Sequence, residues 1–138
     1  MEWSRRLVVE IEVPRGSRVK RHPDGRLQYA SPWRSPFNYG FVPDAPLAPD
    51  GDPQDALFLG PRLDAGVRAS GWGVGCVRVT DGGRPDDKWV VAPDGYEVRP
   101  ADRLAVADFF VRYARWKTVL ARLRGRSGAE VHGIDWVP

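Results

Sequence analysis

The sequence has one cysteine, one methionine and two histidines in 138 residues. Cys76 is a lone thiol, so it has no internal disulfide partner, and thiolate metal sites need companions that it lacks. No apolar run exceeds a handful of residues, far short of the roughly 20 needed to span a bilayer, so no membrane segment is expected. Glu2, Arg5 and Arg6 surround a short apolar segment with no long hydrophobic region, which argues against a signal peptide. Internal repeats and low-complexity stretches are also missing. A cytoplasmic protein is the expectation. With 42% hydrophobic and 28% charged residues the composition is that of a globular chain. At this length it forms one domain, residues 1–138.

Charge narrows little by itself. The net charge is +3, and arginine heavily outnumbers lysine. The basic residues are spread along the chain, apart from a late cluster of Arg112, Arg115, Lys117, Arg122, Arg124 and Arg126. Diffuse positive charge favours an anion without choosing between nucleic acid and a small phosphate compound. The late cluster reads as a solvated helix face.

Proline and glycine cut the first hundred residues into short segments. Residues 7–13 alternate apolar and polar side chains and read as a strand. Residues 26–30 read as a second strand, paired with the first across the His22-Pro-Asp-Gly25 turn signal. Residues 32–46 hold several prolines and Asn38-Tyr-Gly40 and read as an irregular loop. Strands are expected at 56–59, as one or two pieces over 68–79, and at 89–92. From residue 101 to about 123 there is neither Pro nor Gly, and Leu104, Phe109, Phe110, Tyr113, Trp116, Leu120 and Leu123 recur at helical spacing. Pro100 and Asp102 suit the start of that helix, and Gly125 suits its stop. Many short strands followed by one helix suggest a small β-barrel with a helix packed on it, an α+β, mainly β, fold.

The densest set of oxygen ligands is the run Asp50-Gly-Asp-Pro-Gln-Asp55. Three carboxylates within six residues repel one another unless cations neutralise them. Pro53 forbids a regular helix there, and hard oxygens without thiolates favour magnesium or manganese over zinc. Most acidic turns of this composition are simply solvated. An EF-hand fits poorly, because the twelfth position is Pro61 rather than a bidentate Glu. A second acidic loop, Thr80-Asp-Gly-Gly-Arg-Pro-Asp-Asp-Lys88, lies between two apolar strands and reads as a hairpin loop. It adds Asp81 and Asp86, with Lys88 as a point charge for phosphate. Two acidic loops flanking strands of one barrel can converge at its mouth.

Five segments occur in an order and spacing that resemble the family I soluble inorganic pyrophosphatases. They are Glu12-Val-Pro-Arg-Gly-Ser-Arg-Val-Lys20, Ser31-Pro to Pro36-Phe-Asn-Tyr-Gly-Phe41, the Asp50 run, Asp81 to Lys88, and Phe109-Phe-Val-Arg-Tyr113. The resemblance covers residues 7 to about 117. It implies an OB-like five-stranded barrel with one long C-terminal helix, and hydrolysis of pyrophosphate with magnesium or manganese. By resemblance, Asp50, Asp55 and Asp86 look like ligands of a metal pair that activates water, and Asp81 like a ligand of a further metal. Asp52 looks like the proton acceptor for the attacking water. Glu12 lines the same cavity, while Lys20, Tyr39, Lys88 and Tyr113 look like holders of phosphate oxygens. The implied partners are a small phosphate or diphosphate substrate and further copies of the chain, with neither membrane nor nucleic acid.

The chain departs from the family pattern at several positions. The usual cationic Arg of the second strand falls on Leu27, beside Arg26, and the Lys expected after Tyr113 is Ala114, beside Arg115. His22, Gly82 and Ser35 replace two acidic residues and a Tyr, and the chain ends near Trp136, where the family usually begins another helix. The lost Arg and Lys belong to the leaving-phosphate side. Each charge-assisted contact contributes roughly 1.5–3 kcal/mol, so both losses together slow turnover by about a hundred- to ten-thousand-fold unless replaced. Either Arg26, Arg34 or Arg115 supplies the missing charge, or the pocket takes another phosphate or diphosphate compound. A catalytically silent module that binds a polyanion or a protein through the basic helix is the third expectation.

Overall fold

The computed structural model describes residues 4–21, 26–49 and 51–138. The turn at 22–25 and Asp50 therefore lie outside the described residues. Five strands close on themselves. Strand β1 (Arg6–Val13) pairs with β4 (Asn38–Val42), β4 with β5 (Gln54–Phe58), β5 with β8 (Lys88–Ala92) and β8 with β6 (Arg68–Asp81). The first residues of β6 return to β1, with Arg6 opposite Trp72 and Glu10 opposite Arg68. All these pairings are antiparallel except β5 with β8. The result is the expected OB-like five-stranded barrel. Outside it lie β2 (Val19–Arg21) paired with β3 (Leu27–Ala30), the short β7 (Arg84–Pro85), the helix α1 (Pro100–Leu123) and β9 (Ala129–Trp136).

Two local expectations need correction, and two elements are longer or additional. Residues 32–46 are not wholly irregular, because they contain β4; Pro36 and Pro43 flank that strand and leave its ladder donors intact. Gly40 lets β4 lie close against β1: a Cβ there would fall 1.8 Å from the Glu10 carbonyl oxygen. Strand β3 pairs with β2 rather than with β1. The stretch from 68 is one strand of 14 residues, long enough to serve β1 along its first part and β9 along its second. Strand β9 itself was not expected and follows α1 directly, antiparallel to β6.

Period-two alternation sorts the barrel strands into two faces. Leu7, Val9, Ile11, Val42, Ala56, Phe58, Trp89 and Val91 form one buried cluster, the barrel interior. The intervening positions Leu57, Val77, Val79, Val90 and Ala92 pack with Val106 and Phe110 of α1 in a second cluster. Strand β8 is buried at all five positions because it is covered on both faces. Helix α1 starts on Pro100 at its first turn, with Asp102 Oδ2 accepting from the Arg99 amide at 2.9 Å. An aromatic group of Phe37, Phe109, Phe110 and Tyr113 seats it, with Phe37 and Phe109 edge-on at 4.9 Å between centroids. Asn38 locks the start of β4: its Oδ1 accepts from the Arg15 and Leu63 amides, and its Nδ2 donates to the Phe58 and Pro61 carbonyls.

Candidate functional site

The helix-covered face turns polar towards one end. On β5, Ala56 and Phe58 point inward, so Asp55 shares the outer, helix side with Leu57. The same parity puts Lys88 with Val90, Asp81 with Val79, and Tyr39 opposite Leu57. One pleat therefore gathers residues that are far apart in sequence.

Lys88 is the centre of the arrangement. Its side chain is 1% exposed, and its Nζ donates to Asp55 Oδ2 at 2.6 Å and to Asp86 Oδ2 at 2.8 Å. Burial by itself would lower the ammonium pKa, but Asp55, Tyr113 and Asp86 outweigh it and raise the value, so Lys88 is held charged. The phenol of Tyr113 lies over it, with Nζ 6.0 Å from the ring centroid. Burial raises the Tyr113 pKa against the opposing pull of Lys88 and Lys117, so the phenol keeps its proton and can donate it in a hydrogen bond. Asp86 is placed by the backbone, its amide donating to the Val79 carbonyl at 2.8 Å. Next to it, Asp87 Oδ1 accepts from the Val79 amide.

On one flank Lys20 Nζ sits 3.3 Å from Glu12 Oε2. Burial raises the Glu12 pKa, Lys20 opposes this, and Asp55 and Glu10 add to the rise. On the other flank Asp81 Oδ2 accepts from Lys117 Nζ at 2.9 Å. Asp81 ends β6 just before a two-residue turn in which Gly82 and Gly83 both have positive φ, +60° and +80°. The turn needs glycine at that place, which gives a local reason for Gly82. The acidic run is anchored by Gln54, whose Nε2 donates to the Pro46 carbonyl and whose Oε1 accepts from the Trp89 indole. Asp52 stands exposed in the turn before β5, and its carbonyl accepts from the Ala48 amide at 2.8 Å.

The structure thus brings Glu12, Lys20, Asp55, Asp81, Asp86, Lys88 and Tyr113 to one face with Tyr39. Asp50 lies outside the described residues. Arg34, considered as a replacement cation, is tied to the Gly16 carbonyl at 2.8 Å. Arg115 lies roughly 200° round the helix from Tyr113 and lines an outer cleft with Trp33, Arg112, Trp116 and Val119. Leu27 is 56% exposed. One residue of this face was missed. By sequence Lys117 reads as part of the solvated basic cluster, yet it turns inward to Asp81. Its spacing of four residues from Tyr113 was the available signal.

Among the described residues no three carboxyl, imidazole or thiol groups converge tightly enough to form a ready metal cage. The donors are nonetheless all carboxylates, with the thiol of Cys76 buried elsewhere. Such hard oxygens fit a hard divalent cation.

Fold and site together define the class, an OB-like barrel carrying a carboxylate–lysine site under its helix. The family model described as inorganic pyrophosphatase matches residues 9–121. The chain belongs to that family, whose members are metal-dependent. The inorganic pyrophosphatase of Gluconobacter oxydans is 35% identical over 127 residues, covering 76% of this chain and 72% of that protein. That of Pseudanabaena is 37% identical over 97 residues, covering 63% of this chain and 53% of that protein. The chain thus spans only about half the length of some of the relatives it matches. Among solved structures, the inorganic pyrophosphatase of Thermus thermophilus superposes with a TM-score of 0.76 at 28% identity, covering 95% of this chain and 82% of that one. Among the described residues no helix is long and apolar enough to cross a membrane.

Proposed function

We propose that the chain, as one domain over residues 1–138, hydrolyses inorganic pyrophosphate to phosphate with magnesium, manganese being the substitute. The observation that carries this reading is the buried Lys88 ammonium holding Asp55 and Asp86 side by side under Tyr113. Asp50, Asp55 and Asp86 would hold the activating cations, and Asp81 a further one. A bound divalent cation supplies Lewis acidity and lowers the pKa of coordinated water. Asp52, exposed beside this face, takes the proton from the attacking water. Lys88 and Tyr113 donate to phosphate oxygens and offset the charge that builds on the leaving group; Lys20 and Tyr39 hold the other end. Glu12 lines the cavity and orients Lys20.

A second reading, that the substrate is another diphosphate, is supported by the exposed, uncharged Leu27 where the family pattern has an Arg. The experiment is phosphate release from pyrophosphate, nucleoside diphosphates and isoprenoid diphosphates, each with magnesium. Pyrophosphate turning over fastest is the expected result. Preference for an organic diphosphate would favour the second reading, and no release from any of them would overturn both. We also propose a cytoplasmic homo-oligomer. The exposed Leu104, Val111, Val119 and Leu123 of α1 support association of copies.

A further inference from the structure

Of the 21 basic residues, three are lysines: Lys20, Lys88 and Lys117. Each is paired with a carboxylate of the helix-covered face, Lys20 with Glu12, Lys88 with Asp55 and Asp86, and Lys117 with Asp81. Lys117 belongs to the same electrostatic group as Lys88. Its Nζ is 5.6 Å from the centroid of the Tyr113 ring, against 6.0 Å for Lys88, so one phenol lies between two ammonium groups. The neighbouring helix cations are turned away. Arg112 pairs with Asp108 at 3.1 Å, and Arg115 lines the outer cleft.

We infer that Lys117 is a substrate-binding residue, a second cation on the Tyr113 side that takes a phosphate oxygen of a diphosphate. This rests on the reading of the face as a diphosphate site. Stability alone is a poor reason for the pair, because the Lys117 and Asp81 side chains are 41% and 32% exposed and such pairs contribute little. The same exposure leaves the ammonium open to a ligand, and a lysine has three protons to donate, of which Asp81 engages one. The arrangement holds the cation beside Tyr113 before substrate arrives, which lowers the ordering cost of binding.

The test uses Lys117→Ala and Lys117→Arg in the full chain with magnesium. Two readouts are taken: kcat/KM for pyrophosphate, and the affinity for methylenediphosphonate, a non-hydrolysable analogue, by titration calorimetry. For the alanine variant both fall by roughly ten- to a hundred-fold, the arginine variant recovers part of the loss, and the thermal midpoint shifts by less than about 3 °C. Unchanged kcat/KM and unchanged analogue affinity in the alanine variant would overturn the inference. So would losses that only track a matching fall in thermal midpoint. A wild-type chain that binds the analogue through Lys117 without releasing phosphate would uphold the inference and sink the hydrolytic reading. A wild-type chain that neither binds the analogue nor releases phosphate would sink both.

Discussion

The two faces of the barrel strands carry different duties although they alternate residue by residue. On β5 and β8 the inward side chains Ala56, Phe58, Trp89 and Val91 build a closed apolar core. The outward ones begin as Asp55 and Lys88 and become Leu57, Val90 and Ala92 beneath the helix. A single pleat thus separates stability from chemistry by one residue. The polar end can collect charge because α1 covers the outer face, desolvating Lys88 and Tyr113 without closing off the carboxylates.

The sharpest way to break this contrast is to spoil both faces at once. Gly40→Ala places a Cβ against the Glu10 carbonyl and forces β1 from β4. Its expected cost exceeds about 4 kcal/mol, read as loss of the folded far-ultraviolet spectrum. Phe58→Ala acts on the interior alone. It should cost about 3–5 kcal/mol in urea unfolding while the folded fraction keeps its substrate affinity. Lys88→Met acts on the outer face and leaves Asp55 and Asp86 facing each other. A loss of about 3 kcal/mol is expected, partly reversed by magnesium, with turnover abolished; denaturation with and without the metal checks it. Tyr113→Phe is the mildest. It should leave the unfolding midpoint almost unchanged and slow turnover about ten-fold, read by phosphate release.

Much of this contrast was legible in the sequence. Alternation over 7–13 marked β1, and the Pro- and Gly-free stretch marked α1 nearly to its ends. The acidic run, the second loop and Lys88 stand out by their residue types, whereas Tyr113 enters the site only through the family resemblance. What failed did so for physical reasons. Proline density hid β4, because its prolines sit beside the strand rather than in it. Strand β9 escapes a sequence reading because its ladder partner is β6, a strand some fifty residues earlier. The inward turn of Lys117 depends on where α1 docks, which a charge count along one helix does not contain. Asn38 gave no hint either; its role as a clamp of four backbone groups exists only once the loops around Arg15 and Leu63 meet.

The central claim is that the outward polar face is a metal-dependent hydrolytic site. Its most direct test is phosphate release from pyrophosphate by the wild-type chain and by Asp52→Asn, each with magnesium and with a chelator. Release is expected to require magnesium and to be lost in Asp52→Asn at an unchanged thermal midpoint. Equal release from both proteins, or none from the wild type with magnesium, would contradict it.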